Sequence, residues 1–222
     1  MTPPRVVVTG SESTGKTTLA ARLAEHYGAP RLPEFVRAYV DALTRPLGRD
    51  DVEPVARGQL AAERQAESRA GRLLVQDTDV LSTLVYGAHY YDHAPAWIAD
   101  ALREHPADLY LLCGIDVPWV PDPQRDRGHM RAQMHALFAD AVARTGVPFA
   151  VIRGDWEARF RAAVAAVDAV LAGRGVEAGL EIAAGESMRG GVVAAAVSPL
   201  PTALSPRPAG EGETCDAAAD DG

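Results

Sequence analysis

Gly10-Ser11-Glu12-Ser13-Thr14-Gly15-Lys16-Thr17 is a complete G-x-x-x-x-G-K-[ST] run, the pattern whose backbone N–H groups wrap nucleotide phosphates. Lys16 is the one lysine among the 22 Lys+Arg of the chain, so 21 are arginine, and asparagine is missing altogether. A composition that has moved so far from lysine keeps it where a guanidinium does not serve. A compact ammonium on a flexible stem reaches between the β- and γ-phosphates as a point charge, whereas the planar arginine fork crowds a closely wrapped backbone. The Thr17 hydroxyl is placed to ligate Mg²⁺, and with Thr18 it carries the loop into a helix. Residues 10–18 are therefore expected to hold ATP and Mg²⁺.

Other polar sets carry candidate chemistry. In Pro33-Glu34-Phe35-Val36-Arg37-Ala38-Tyr39, the Glu34 carboxylate is expected to face the phosphate loop across a cleft, with Arg37 beside it. In Asp77-Thr78-Asp79, one carboxylate suits the waters of Mg²⁺ and the other a sugar hydroxyl or its proton. Glu34 and both aspartates are also of the kind that caps helices at strand ends. The stretch from Asp116 to Gly128 is rich in proline and charge and reads as a lid. Arg125, Arg127 and Arg131 are its candidates for stabilising the charge that spreads over a migrating phosphoryl group. The ordinary alternative for any one of them is a surface ion pair with Asp122 or Asp126. Asp155 reads as a helix N-cap, and the backbone around it as a border to the adenine. His89 and His93 stand four apart without a third ligand or an H-E-x-x-H pattern, so no zinc site is expected.

These residues need elements to hold them. Arg5-Val6-Val7-Val8-Thr9, Leu73 to Gln76, Leu109 to Cys113 and Phe149 to Ile152 are apolar runs of strand type, with a weaker one near Arg31-Leu32-Pro33. Helical patterns lie between them: from Lys16 to a stop at Gly28, Val52 to Arg69 behind Asp50 and Asp51, a pair within Val80 to Arg103, Gly128 to Arg144, and Asp155 to Leu171. Such alternation predicts an α/β fold, a parallel sheet with helices on both faces and function at the carboxyl ends of its strands.

Composition narrows the function classes. No apolar stretch approaches the roughly 20 residues of a membrane span, and no signal peptide is visible before the first strand. Two cysteines, Cys113 and Cys215, do not make a disulfide framework, so a reducing cytoplasm is expected. The formal charge of -8 argues against broad nucleic-acid binding, and no membrane partner is expected. Residues 1–173 form the expected kinase-type domain; 174–222, rich in Gly, Ala, Pro and acid, cannot bury enough apolar area to offset the entropy of ordering and are expected to form a disordered tail. An edge strand over Val192 to Val197 is the alternative there.

The series of phosphate loop, Glu-x-x-Arg after the second strand, Asp-Thr-Asp after the third, and Asp-x-Pro-Trp-Val-x-Asp followed by arginine before a long helix resembles the ribosylnicotinamide kinase domain of NadR-type proteins. The resemblance runs from about Arg5 to Leu171 and takes in Gly58-Gln59-Leu60, Tyr86, Tyr90 and Gly154-Asp155-Trp156-Glu157-x-Arg159. It implies a P-loop nucleoside-kinase fold with a five-stranded parallel sheet, and ATP-Mg²⁺ dependent phosphorylation of the 5′-hydroxyl of nicotinamide riboside. It also implies that Glu34 or Asp79 accepts the hydroxyl proton, Glu34 first, that Asp77 supports Mg²⁺, and that Lys16 and the lid arginines neutralise the moving group. The flat nicotinamide cation would sit against Tyr86, Tyr90 or Trp119, with Gln59 bonding its carboxamide and Arg37 near the acceptor. Pro123 departs from the glycine usual in that lid. Fused NadR proteins carry further domains before the kinase, so a chain starting at the first strand is expected to stop at the mononucleotide.

Rival functions share the loop. Another nucleoside or nucleoside-monophosphate kinase differs only in its base pocket. A guanine-specific switch would want N-K-x-D, which this sequence lacks. An assembly ATPase would use Leu73-Leu74-Val75-Gln76-Asp77 as a Walker B strand, a loose fit.

Overall fold

The computed structural model describes residues 2–118, 130–173 and 180–181. At its centre lies β1 (Arg5–Thr9), whose Val6, Val7 and Val8 expose no surface. Burying each valine is worth roughly 1.5–3 kcal/mol, and burial on both faces explains why the run does not alternate with polar residues. β3 (Leu74–Asp77) and β4 (Leu109–Cys113) flank β1, with β2 (Arg31–Leu32) outside β3 and β5 (Phe149–Ile152) outside β4. All pairings are parallel. The expected five strands are present, β3 reaching one residue further than its apolar run, to Asp77. Beyond residue 173, a two-residue β6 (Leu180–Glu181) pairs with Ala150 and Val151 and extends the sheet edge.

Two apolar layers sandwich the sheet. On one face α1 (Lys16–Tyr27) and α7 (Trp156–Leu171) pack Leu19, Leu23 and Val167 against Val6, Val8 and Ile152. On the other, α3 (Val52–Glu67), α4 (Val80–Tyr91), α5 (Ala96–Glu104) and α6 (Arg131–Thr145) pack Ala56, Leu84, Ile98 and Phe138 against Val7, Tyr110 and Leu112. α1 stops at Gly28, and Asp155 caps α7 by accepting from the Ala158 N–H at 2.7 Å.

One helix was not expected. α2 (Phe35–Asp41) has no buried residue, although Val36, Tyr39, Val40 and Leu43 stand at helical spacing. A 3₁₀ turn at Arg49–Asp51 then leads into α3. Among the described residues no helix is long and apolar enough to cross a membrane.

Register decides where chemistry can gather. Val8 lies opposite Asp77 on one side and Leu111 on the other, so the acid ending β3 sits beside the strand that runs into the phosphate loop. The central strands deliver their loops to one edge, the crevice expected of open α/β sheets.

Candidate active site

The loop after β1 wraps tightly because three of its residues take positive φ: Gly10 at 131°, Ser13 at 52° and Gly15 at 81°. A Cβ on Gly10 would lie 3.0 Å from the Cys113 carbonyl oxygen, so glycine is needed for closeness to β4 as well as for conformation. Gly15 accepts the first helical hydrogen bond, from Leu19 N–H at 3.0 Å. The N–H groups of Lys16, Thr17 and Thr18 thus stand at a helix start with no carbonyl behind them, an anion seat. Lys16 is buried; its Nζ donates to the Ser11 carbonyl at 2.8 Å, as does the Thr14 hydroxyl at 2.8 Å.

Asp77 meets this loop from β3. It is 1% exposed, and burial pushes its carboxyl up. The Thr17 hydroxyl donates to it and draws it back, Glu34 raises it further, and Lys16 and Arg37 pull it down, so these five side chains share one electrostatic neighbourhood. Asp77 Oδ1 and Ser11 Oγ are buried without a hydrogen-bond partner. The Thr17 hydroxyl with the orphaned Asp77 oxygen is a hard donor set, the kind that supplies one or two oxygens to Mg²⁺ while water and phosphate supply the rest.

Beside the loop opens a cleft of about 460 Å³, within the roughly 300–1,000 Å³ usual for small-ligand sites. Glu12 and Lys16 lie at its phosphate end, Glu34 and Arg37 on the α2 side, and Ser82, Thr83, Tyr86 and Tyr90 on the α4 side. Glu34 occupies the N-cap position of α2 but its side chain makes no cap bond. Its carboxylate instead accepts from Arg37 Nε at 2.8 Å. The Tyr86 and Tyr90 rings lie parallel within 6°, centroids 5.8 Å apart, and Tyr86 stands edge-on to Phe138.

Asp51, which also lines the cleft, is a clasp. It accepts from Arg45 at 2.6 and 2.9 Å, Tyr39 at 2.8 Å and Gly48 N–H at 2.8 Å, and the Arg45 bonds hold its carboxyl well below the usual range. It closes the turn between α2 and α3 against the pocket.

Two expected site residues are elsewhere. Asp79 is 1% exposed and caps α4, accepting from Leu81 N–H at 3.1 Å and from the Tyr110 hydroxyl at 2.6 Å. Thr78, at φ 67°, turns the chain between the two aspartates, so Asp77 goes to the phosphate loop and Asp79 goes beneath the sheet. Asp79 is thus not placed to take a hydroxyl proton. Gln59 is likewise buried: its Oε1 accepts from Phe35 N–H at 3.2 Å and its Nε2 donates to Glu63 at 3.0 Å. It supports the start of α2 from behind and does not line the cleft. Gly58 permits this, because a Cβ there would lie 2.1 Å from the Phe35 ring.

Arg131 donates to the Val117 carbonyl at 2.7 Å and the Ser13 carbonyl at 3.0 Å, bonding the outer side of the phosphate loop. Trp119, Arg125 and Arg127 lie outside the described residues. Asp51, Ser82 and Thr83 are cleft residues that were not among the expected site residues. The spacing of Ser82, Tyr86 and Tyr90, each four residues from the next on one helix face, was the available signal.

Comparisons with known proteins agree with the motif resemblance. Residues 5–159 match a family model described as an AAA domain. The chain is 26% identical over 165 residues to the trifunctional NAD biosynthesis/regulator protein NadR of Escherichia coli (strain K12), a stretch covering 70% of this chain and 40% of that protein. A solved structure of NadR in complex with NR aligns with a TM-score of 0.65 and 26% identity, over 79% of this chain and 52% of that one. NadR in complex with NAD and AMP-PNP aligns with the same score at 25% identity, over 79% and 51%. The chain thus spans about half the length of the NadR proteins it matches. Thymidylate kinase from Ehrlichia chaffeensis shares the fold, with a TM-score of 0.55 at 13% identity over 77% of this chain and all of that one.

Proposed function

Because the chain belongs to the AAA domain family, and its cleft adjoins the phosphate loop, we propose that it is an ATP-Mg²⁺ dependent kinase that phosphorylates the ribose 5′-hydroxyl of nicotinamide riboside to give nicotinamide mononucleotide. The observation that carries this reading is that Lys16 and Glu34 line one cleft, while the buried Asp77 lies within electrostatic reach of both and of Thr17. A switch protein needs the loop alone; a carboxylate facing it across an acceptor-sized space is what phosphoryl transfer to an alcohol requires.

Glu34 takes the proton of the 5′-hydroxyl as the oxygen attacks the γ-phosphorus, and ADP leaves. Lys16 and the N–H groups of residues 13–18 bear the charge on the β- and γ-phosphates. Thr17 and Asp77 would hold Mg²⁺, which neutralises phosphate charge and orients the chain of phosphates. Arg37 orients the Glu34 carboxylate by its 2.8 Å bond.

The cations of the cleft are already engaged. Arg37 is bonded to Glu34 and Lys16 to the phosphate loop, and Asp51 is balanced by Arg45. Such a lining offers no ready seat for the phosphate of a nucleoside monophosphate and tolerates the cationic base of nicotinamide riboside. Tyr86 and Tyr90 offer a face to that cation, an attraction worth about 0.5–2 kcal/mol. The solved NadR complexes with NR and with NAD and AMP-PNP lend support from a relative.

A coupled ADP-release assay over nucleosides and nucleoside monophosphates tests the proposal. Nicotinamide riboside should give the highest kcat/KM, and turnover no faster than hydrolysis in water with that acceptor would refute it. The family description favours a second reading, an assembly ATPase. That reading calls for acceptor-independent hydrolysis and a rise in molecular mass with ATP on size exclusion.

A further inference from the structure

Among the described residues Arg159 is the largest of the fully buried side chains, 1% exposed on the first turn of α7. A guanidinium removed from water must be fully bonded or it destabilises the fold. Here Nε donates to the Gly154 carbonyl at 3.0 Å, Nη1 to the Thr14 carbonyl at 2.9 Å, and Nη2 to the Gly114 carbonyl at 2.9 Å and Asp116 Oδ1 at 2.6 Å. The three carbonyls belong to three loops, those leaving β1, β4 and β5. Asp116 completes the tie, its Oδ2 accepting from Gly154 N–H at 2.6 Å.

We infer that Arg159 is a positioning residue for nucleotide binding: it holds the phosphate loop by its carbonyl side so that its N–H side faces the phosphates. The inference deepens the ATP-binding reading and rests on it. In a planar trans peptide the C=O and the following N–H point opposite ways. A bond from Arg159 to Thr14 O therefore turns Gly15 N–H inward, and the bond from Arg131 to Ser13 O does the same for Thr14 N–H. The loop needs such restraint, because Ser13 holds a left-handed conformation at φ 52° that a residue with a Cβ does not favour. Only a planar fork can bond three carbonyls and a carboxylate at once; an ammonium of the same charge cannot match that geometry. The surroundings are shaped to it, since a Cβ on Gly114 would lie 2.7 Å from Asp116 Oδ1.

The test is calorimetric titration of the full chain with ATP, ADP and AMP in Mg²⁺, with thermal unfolding recorded alongside, for the wild type, Arg159→Lys and Asp116→Ala. Loss of the charged hydrogen bonds should weaken ATP and ADP binding to Arg159→Lys by about 10–100-fold while AMP, which has no β-phosphate in the loop, changes little. Asp116→Ala, whose side chain is 37% exposed, keeps the carbonyl bonds, decides the matter if Arg159→Lys does not fold, and should lose roughly threefold to tenfold in ATP affinity. A folded Arg159→Lys that binds ATP within about twofold of the wild type, or loses ATP and AMP equally, overturns the inference. If Arg159→Lys does not fold, Asp116→Ala binding ATP like the wild type does so. A wild type that binds no ATP overturns the underlying nucleotide reading instead.

Discussion

The phosphate loop is a continuous run of residues whose shape comes from its own positive φ angles and from bonds to its carbonyls, whereas the acceptor wall gathers Glu34, Asp51, Ser82, Tyr86 and Tyr90 from three separate elements. The first region is local in sequence and rigid by construction. The second exists only once α2 has docked on α3 and α4 has been turned by Thr78. Errors in one should therefore strike every reaction of the protein, and errors in the other only the acceptor half.

The largest expected effect lies in the loop. Lys16→Ala should lower turnover by at least about 10²–10³-fold, and equally for every acceptor that the wild type accepts. Residual activity that differs between acceptors would break the proposed division of labour.

Next comes the acceptor wall. Glu34→Gln should reduce kcat by about 10²–10⁴-fold with the riboside KM within a few-fold of the wild type, the mark of a lost base. Asp79→Asn is the contrasting variant. Its carboxylate is spent on Leu81 N–H and Tyr110, so it should lower the melting temperature while leaving kcat close to the wild type in the folded protein. A reversal of these two outcomes would assign the base to Asp79 after all.

Gln59→Ala sharpens the comparison at its hinge. Phe35 N–H and Glu63 lose their partner, which should cost about 1–3 kcal/mol of stability. Because Glu34 precedes Phe35, the riboside kcat should fall while the KM for ATP stays unchanged. Parallel kinetics with both substrates varied check this.

The smallest expected effect concerns pH. Burial first, and then the Asp79 charge, push the Glu63 carboxyl from its ordinary 4.5 up to about 8. Between those values the folded chain holds a proton that the unfolded chain has released, so the contribution of this group is complete below about 4.5 and is lost as pH rises towards 8. Urea midpoints measured from pH 5 to pH 8 should fall more steeply for the wild type than for Glu63→Gln. Equal slopes would mean that Glu63 titrates alike in both states.

This contrast also explains what could be read from the amino-acid sequence. β1 and β4 have the expected limits because their apolar runs are buried on both faces, and β5 because Ala150 and Ile152 are buried while Phe149 and Val151 are half-buried. α2 is only seven residues long, too short for the spacing of Val36, Tyr39 and Val40 to stand out as a helix. Asp77 and Asp79 looked interchangeable, two acids one residue apart at a strand end. The positive φ of Thr78 separates them, and threonine gives no hint of that conformation. Gln59 was placed near a ligand on its motif, but the absent side chain of Gly58 lets Phe35 close over it. Arg159 was only one member of a motif, since its three carbonyl partners belong to loops far apart in the chain.

Single-turnover transfer from ATP labelled with ³²P at the γ position tests the central claim most directly. With enzyme in excess over ATP and nicotinamide riboside present, the label should appear in nicotinamide mononucleotide for the wild type and stay in ATP for Lys16→Ala. Label released by the wild type only as inorganic phosphate, at a rate indifferent to the riboside, would contradict the account.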